Sequence, residues 1–146
     1  EPGGALVARK PEEVLPEYRN GNLGEAVVLE ALLELKPSPV SEVKKRQEEY
    51  LRKKNQSQPV TMSTAGCAFR NPAGASAGKL IDDAGLKGFQ IGGVQVSPLH
   101  ANFLVNLGDG SAADVRAVLD HVEREVLNQC GVRLTRELVI WPEPIS

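Results

Sequence analysis

The chain has 146 residues, 41% of them hydrophobic and 25% charged, an ordinary globular composition with room for one full domain and a short extra piece. A formal net charge of −2 gives no electrostatic reason to expect nucleic acid or an anionic membrane as a partner. The two cysteines, Cys67 and Cys130, lie far apart in a chain with no metal-type Cys/His spacing, so neither a disulfide framework nor a metal site is expected.

No apolar run approaches membrane-spanning length and no signal peptide is expected, which together point to a reduced, cytoplasmic protein. The opening Glu1-Pro2-Gly3-Gly4 in place of Met suggests a start inside a longer protein. Aromatic residues make up only 4%, so the core should be built from Val, Leu, Ile and Ala.

Residues 1–24 read as loops and a weak strand, broken by Pro2, Pro11, Pro16 and four glycines. Ala26 to Leu35 is short, follows Gly24 and stops at Pro37, which favours a strand. Ser38-Pro39 then reads as a helix start, with Ser38 as cap and Pro39 in the first turn. Val40, Val43, Gln47, Tyr50 and Leu51 share one face of that helix, and it should fray out by Asn55-Gln56-Ser57. Residues 59–75 carry no usable periodicity and read as a long irregular loop of the kind that often bears function. Ser76 caps a short helix stopped at Gly85.

Phe89–Val96 and Ala101–Asn106 look like two strands joined at Ser97-Pro98, with Gly92-Gly93 marking a bulge or a close backbone approach. A long helix follows, capped by Ser111 with Asp114 in the capping-box position and ended at Gly131. Val115, Val118, Leu119, Val122, Val126 and Cys130 form its apolar stripe, so Cys130 reads as a core residue. A last strand from Leu134 to Trp141 closes the chain before Pro142. The order predicts an α+β fold, a mostly antiparallel sheet packed by helices.

Cys67 sits between Gly66 and Ala68 with Arg70 and Asn71 nearby. The residues alone leave open an accessible thiol near positive charge or a small packed loop residue. Glu137 lies within an apolar strand pattern and on alternation shares a face with Val139 and Trp141, which places it at a sheet edge or lining a cleft. Arg19 reads as a surface arginine, His100 as a turn residue and His121 as structural. The glycines at 85, 88, 92 and 93 lack the strand-turn-helix context of a dinucleotide fingerprint.

The combination is more specific than its parts. Ala65 to Pro72, Ala77 to Asp82, Ala84 to Gly88, Ile91 to Ser97, His100 to Phe103 and the closing Leu134 to Ile140 resemble, in order and spacing, the UDP-N-acetylenolpyruvoylglucosamine reductase (MurB) family of bacterial peptidoglycan synthesis. Tyr18-Arg19-Asn20 resembles its Tyr-Arg motif.

The resemblance implies the C-terminal, substrate-binding half of a flavin oxidoreductase, residues 38–146, with residues 1–37 at the edge of the FAD-binding domain. It implies FAD and NADPH as cofactors of the whole enzyme, held by a missing N-terminal half, and UDP-N-acetylglucosamine enolpyruvate as substrate. Cys67 falls where the family usually has a serine that protonates the substrate carbon. Arg19 and Glu137 fall where an arginine and a glutamate steady the enolate-like intermediate, and Glu137 helps there only if protonated or hydrogen-bonded. Asn71, His100, Lys54 and Tyr18 fall at or near substrate-contacting positions. The alternative is a non-catalytic α+β module that keeps the fold and binds a nucleotide sugar or a partner.

Overall fold

The computed structural model describes residues 4–141, and within it the chain divides into two units, Glu1–Ser38 and Pro39–Ser146. Pro142, expected to follow the last strand, and the opening Glu1-Pro2-Gly3 lie outside the described residues.

The first unit holds one short helix that sequence reading missed, α1 (Pro11–Val14), with Pro11 at its start and the Glu13 carboxylate accepting from the Lys10 amide at 2.7 Å. An antiparallel bridge between Glu17 and Asn20 then folds the chain into a tight turn. The strand expected over 26–35 does not form. Val27, Leu29 and Leu32 stand 80%, 74% and 97% exposed, and extended backbone becomes a strand only where a neighbouring ladder takes up its N–H and C=O groups.

The second unit opens with α2 (Val40–Ser57), whose N-cap is Pro39 and not Ser38. Pro39 is extended, at φ −56° and ψ 137°, so the helix starts one residue after it and Ser38 falls outside. The expected apolar face is present in spacing, but no residue of α2 is buried.

The supposed loop at 59–75 contains two strands, β1 (Ser63–Cys67) and β2 (Phe69–Arg70). The small residues of β1 hid it, because Ser, Ala and Gly carry little alternation signal, and β2 is only two residues long. α3 (Ala77–Asp83) follows, with the Ser76 hydroxyl accepting from the Lys79 amide as its expected cap. The first expected strand of the 89–106 pair is in fact a tight hairpin, β3 (Gln90–Ile91) and β4 (Val94–Val96), turning on Gly92-Gly93. β5 (Phe103–Asn106) pairs with β4 and with β1, giving an all-antiparallel sheet in the order β1-β5-β4-β3.

α4 (Ala112–Cys130) carries the expected capping box between Ser111 and Asp114 and ends at Gly131, whose φ of +69° suits glycine. The final strand is only β6 (Thr135–Arg136), paired with β2. Val118, Leu119, Val122 and Val126 of α4 are all at most 1% exposed and pack with Ile81 of α3 against Val94, Val96 and Leu104 of the sheet. Each such side chain contributes roughly 1.5–3 kcal/mol on leaving water. Cys130 packs at the margin of this core, as its place on the stripe implied. The α+β architecture expected from element order is the one observed.

Candidate active site

Cys67 closes β1, and a bulge sets its position. Ser63 pairs with Asn106 and Thr64 with Val105, but Cys67 pairs with Phe103, one residue out of the earlier register. A bulge of this kind bends a strand and re-aims the side chains that follow. Gly66 takes φ +89° there, a conformation that side-chain-bearing residues rarely adopt, and its amide donates to the Thr64 hydroxyl at 3.3 Å. The Thr-x-Gly-Cys order is therefore a local device for turning Cys67 at the sheet's edge strand. The thiol residue is half-buried.

Beyond Cys67 the chain leaves the sheet and is caught by the C-terminal segment. The carbonyl of Ala68 accepts from the Glu137 amide at 2.8 Å and from the Leu138 amide at 3.2 Å. Glu137 thus lies just past β6, tied by its backbone to the residue next to Cys67. Its Oε2 is buried, whereas Val139 and Trp141 are 81% and 88% exposed. The shared face expected from strand alternation is wrong, because the strand ends at Arg136 and alternation ends with it.

The preceding residue secures the same segment from outside. Arg136 grips Glu123 of α4 with a two-point fork, Nε to Oε1 at 2.6 Å and Nη2 to Oε2 at 2.9 Å, and also bonds Asp120. The Glu123 carboxylate, beside that of Asp120, holds the guanidinium well above its usual range.

Asn71 lies exposed after β2, and its Oδ1 accepts from the Ala77 amide at 2.9 Å, satisfying an orphan donor at the start of α3. His100 is half-buried between β4 and β5. Its Nδ1 accepts from the Asn102 amide at 3.2 Å, which assigns the ring proton to Nε2, and its edge meets Phe103 at 4.7 Å between centroids. Burial, with a smaller push from Lys87, holds the imidazole below 6.5 despite the opposing backbone hydrogen bond. Lys54 stands exposed in the last turn of α2. Tyr18 and Arg19 form the tip of the first unit's turn, Arg19 at φ +60° with its guanidinium 5.4 Å from the Tyr18 ring centre. Among these residues, the described contacts bring together Cys67, Glu137 and His100 through neighbouring backbone.

The family model for the C-terminal domain of UDP-N-acetylenolpyruvoylglucosamine reductase matches residues 58–141. The chain belongs to this family. It is 39% identical over 132 residues to the UDP-N-acetylenolpyruvoylglucosamine reductase of Moorella thermoacetica, covering 90% of this chain and 44% of that protein. It is 42% identical over 137 residues to that of Deinococcus radiodurans, covering 93% and 45%. A crystal structure of the reductase from Thermus caldophilus superposes with a TM-score of 0.63 at 41% identity, over 75% of this chain and 38% of that one. The chain therefore spans less than half the length of these relatives.

Within this reductase-family domain, one residue at the site escaped sequence reading. Asn102, 3% exposed, bonds Phe69 on both sides, its Oδ1 accepting from the Phe69 amide at 2.9 Å and its Nδ2 donating to the Phe69 carbonyl at 2.8 Å. Its own carbonyl accepts from the Ala68 amide at 2.8 Å. Its sequence signals were its place in the His100-Ala101-Asn102-Phe103 motif and a polar side chain just before the apolar run Phe103-Leu104-Val105.

Proposed function

We propose that this chain is the substrate-binding part of a UDP-N-acetylenolpyruvoylglucosamine reductase, an NADPH-dependent flavin oxidoreductase of bacterial peptidoglycan synthesis. Residues 38–146 would bind UDP-N-acetylglucosamine enolpyruvate, and residues 1–37 would form the edge of an FAD-binding half that precedes them. The observation that carries this reading is the Ala68 carbonyl, which ties Glu137 beside Cys67 in a domain of this family. The cytoplasm, where such a nucleotide sugar and NADPH would be met, is the proposed location. Large apolar side chains left exposed in the first unit, Leu32 at 97% and Leu35 at 80%, favour a partner surface of this kind.

The Gly92-Gly93 turn offers no room for a flavin diphosphate. A Cβ at Gly93 would lie 2.3 Å from the Gly110 amide and one at Gly92 would lie 2.5 Å from the Asp114 carboxylate, so that glycine pair is closed by backbone and negative charge. On this reading a preceding half would hold the flavin, which would supply the hydride.

The work left to this chain is proton delivery and charge stabilisation. Hydride addition at the distal vinyl carbon puts negative charge on the carbon next to the substrate carboxylate. Cys67 gives its Sγ proton to that carbon, forming the C–H bond and leaving a thiolate that regains a proton from solvent. A thiol with a reference pKa of about 8.5 is a far stronger acid than a serine hydroxyl. The Arg19 guanidinium matches the planar, doubly charged carboxylate by a two-point hydrogen bond, and Glu137 shares a hydrogen bond with the same intermediate. Asn71 has committed Oδ1 to α3, so it meets substrate as a donor through Nδ2. His100, with its proton on Nε2, is likewise a neutral donor, and Lys54 and Tyr18 supply further contacts.

The test joins this chain to an FAD-binding half and follows NADPH oxidation with and without the enolpyruvyl sugar. Oxidation coupled to formation of UDP-N-acetylmuramate is expected. Oxidation at one rate regardless of the sugar would sink the proposal.

A further inference from the structure

We infer that Asn102 is the positioning residue for proton delivery, holding the Cys67 segment and, through it, Glu137 in fixed register; this rests on the reading of Cys67 as proton donor.

The bulge at Thr64–Cys67 leaves the segment after β1 without the regular ladder to β5. Had the register continued, Cys67 would have stood opposite Asn102. Instead Asn102 serves the two residues after Cys67, its carbonyl holding the Ala68 amide and its side chain holding both polar groups of Phe69. The opposite side of the Ala68 peptide holds Glu137. One carboxamide thus completes a backbone span whose two ends carry the thiol and the carboxylate.

Its side chain lies among Ala68, Phe69, Ala101 and Phe103, each at most 7% exposed, where an unmade hydrogen bond cannot be replaced by solvent. The Asn102 amide also sets the His100 tautomer through Nδ1. The two-way pair with one residue requires an acceptor and a donor on a short planar group, which a carboxamide supplies whatever the pH.

Asn102→Asp keeps the size and the acceptor but, when ionised, loses the donor to Phe69, so it is assayed at about pH 8 and above. Asn106→Ala is the matched control, because Asn106 also bonds backbone, at Gly108 and Gly110, but at the far end of β5 from Cys67. In the assembled reductase, Asn102→Asp should lower kcat for sugar reduction by about tenfold to a hundredfold, as expected for a displaced reacting group. Flavin reduction by NADPH should stay within about twofold, and Asn106→Ala should change neither rate while lowering thermal stability.

If Cys67→Ala abolishes sugar reduction but Asn102→Asp is as active as Asn106→Ala, the positioning role is overturned and the proton-donor reading stands. If Cys67→Ala is fully active, both fall. Should Asn102→Asp fail to fold, hydrogen exchange on the unaltered chain decides. The Ala68 and Phe69 amides should exchange as slowly as those of β5, and exchange at the rate of the 71–75 loop would refute the clamp.

Discussion

The Glu137 amide donates to the Ala68 carbonyl at 2.8 Å, so the backbone of Glu137 is tied to the residue that follows Cys67. In the assembled reductase, removing either functional group should slow sugar reduction and spare reduction of the flavin by NADPH. Cys67→Ala should cost about 10²–10⁴ in rate, the range for loss of a positioned acid. Cys67→Ser should retain more activity than Cys67→Ala and become insensitive to iodoacetamide. Glu137→Gln should lose about 10²–10³, as for one stabilising hydrogen bond in a closed site. Stopped-flow resolution of the two half-reactions checks all three, and equal losses in both would point to misfolding.

His100 should titrate below 6.5 when followed by NMR on this chain, because burial disfavours the imidazolium. The sign for stability follows from linkage. The folded state binds this proton less readily than the unfolded state, so the contribution is complete above 6.5 and is lost as pH falls toward the lower folded value. Thermal melts should show that decline in wild type and a weaker one in His100→Phe. A midpoint at or above 6.5 contradicts the burial seen here.

Gly93→Ala should be far more damaging than Gly66→Ala. A Cβ at Gly93 would meet the Gly110 amide and Asp109 at 2.3 Å, and backbone on both sides must move to admit it. That overpacking should cost about 3 kcal/mol or more. Gly66 has open space and only its φ of +89° to object, a strain of about 1–2 kcal/mol. Urea unfolding midpoints of the two variants test the order.

Arg136→Lys should lower stability by about 1 kcal/mol, since an ammonium cannot reproduce the fork on Glu123. Both side chains are about one-third exposed, 32% and 31%, so solvent screening keeps the loss small. The measurement is the urea midpoint at low and high salt. A change in the slope of the transition, rather than its midpoint, would mean a different effect.

The long helix was legible from its sequence because its signals are local. Ser111, Asp114 and Gly131 cap and stop it through neighbours three or four residues away, and its stripe repeats over about four turns. The 26–35 strand was misread because a strand needs a partner that no local pattern supplies. β1 and β2 were missed for the converse reason, since short runs with little local pattern pair there with distant strands.

What the sequence alone determined is the α+β class, the ends of α4, the family resemblance and the candidates Cys67, Glu137, Arg19 and Asn71. What only the tertiary structure decided is that the Glu137 amide meets the Ala68 carbonyl beside Cys67, and that Asn102 holds Ala68 and Phe69. The separation is physical. Caps and amphipathic stripes act within one or two helical turns, whereas the Ala68–Glu137 and Phe69–Asn102 hydrogen bonds close across dozens of residues. Which distant amide meets which carbonyl is fixed by the packed sheet and by the one-residue bulge at Gly66, which no local preference records.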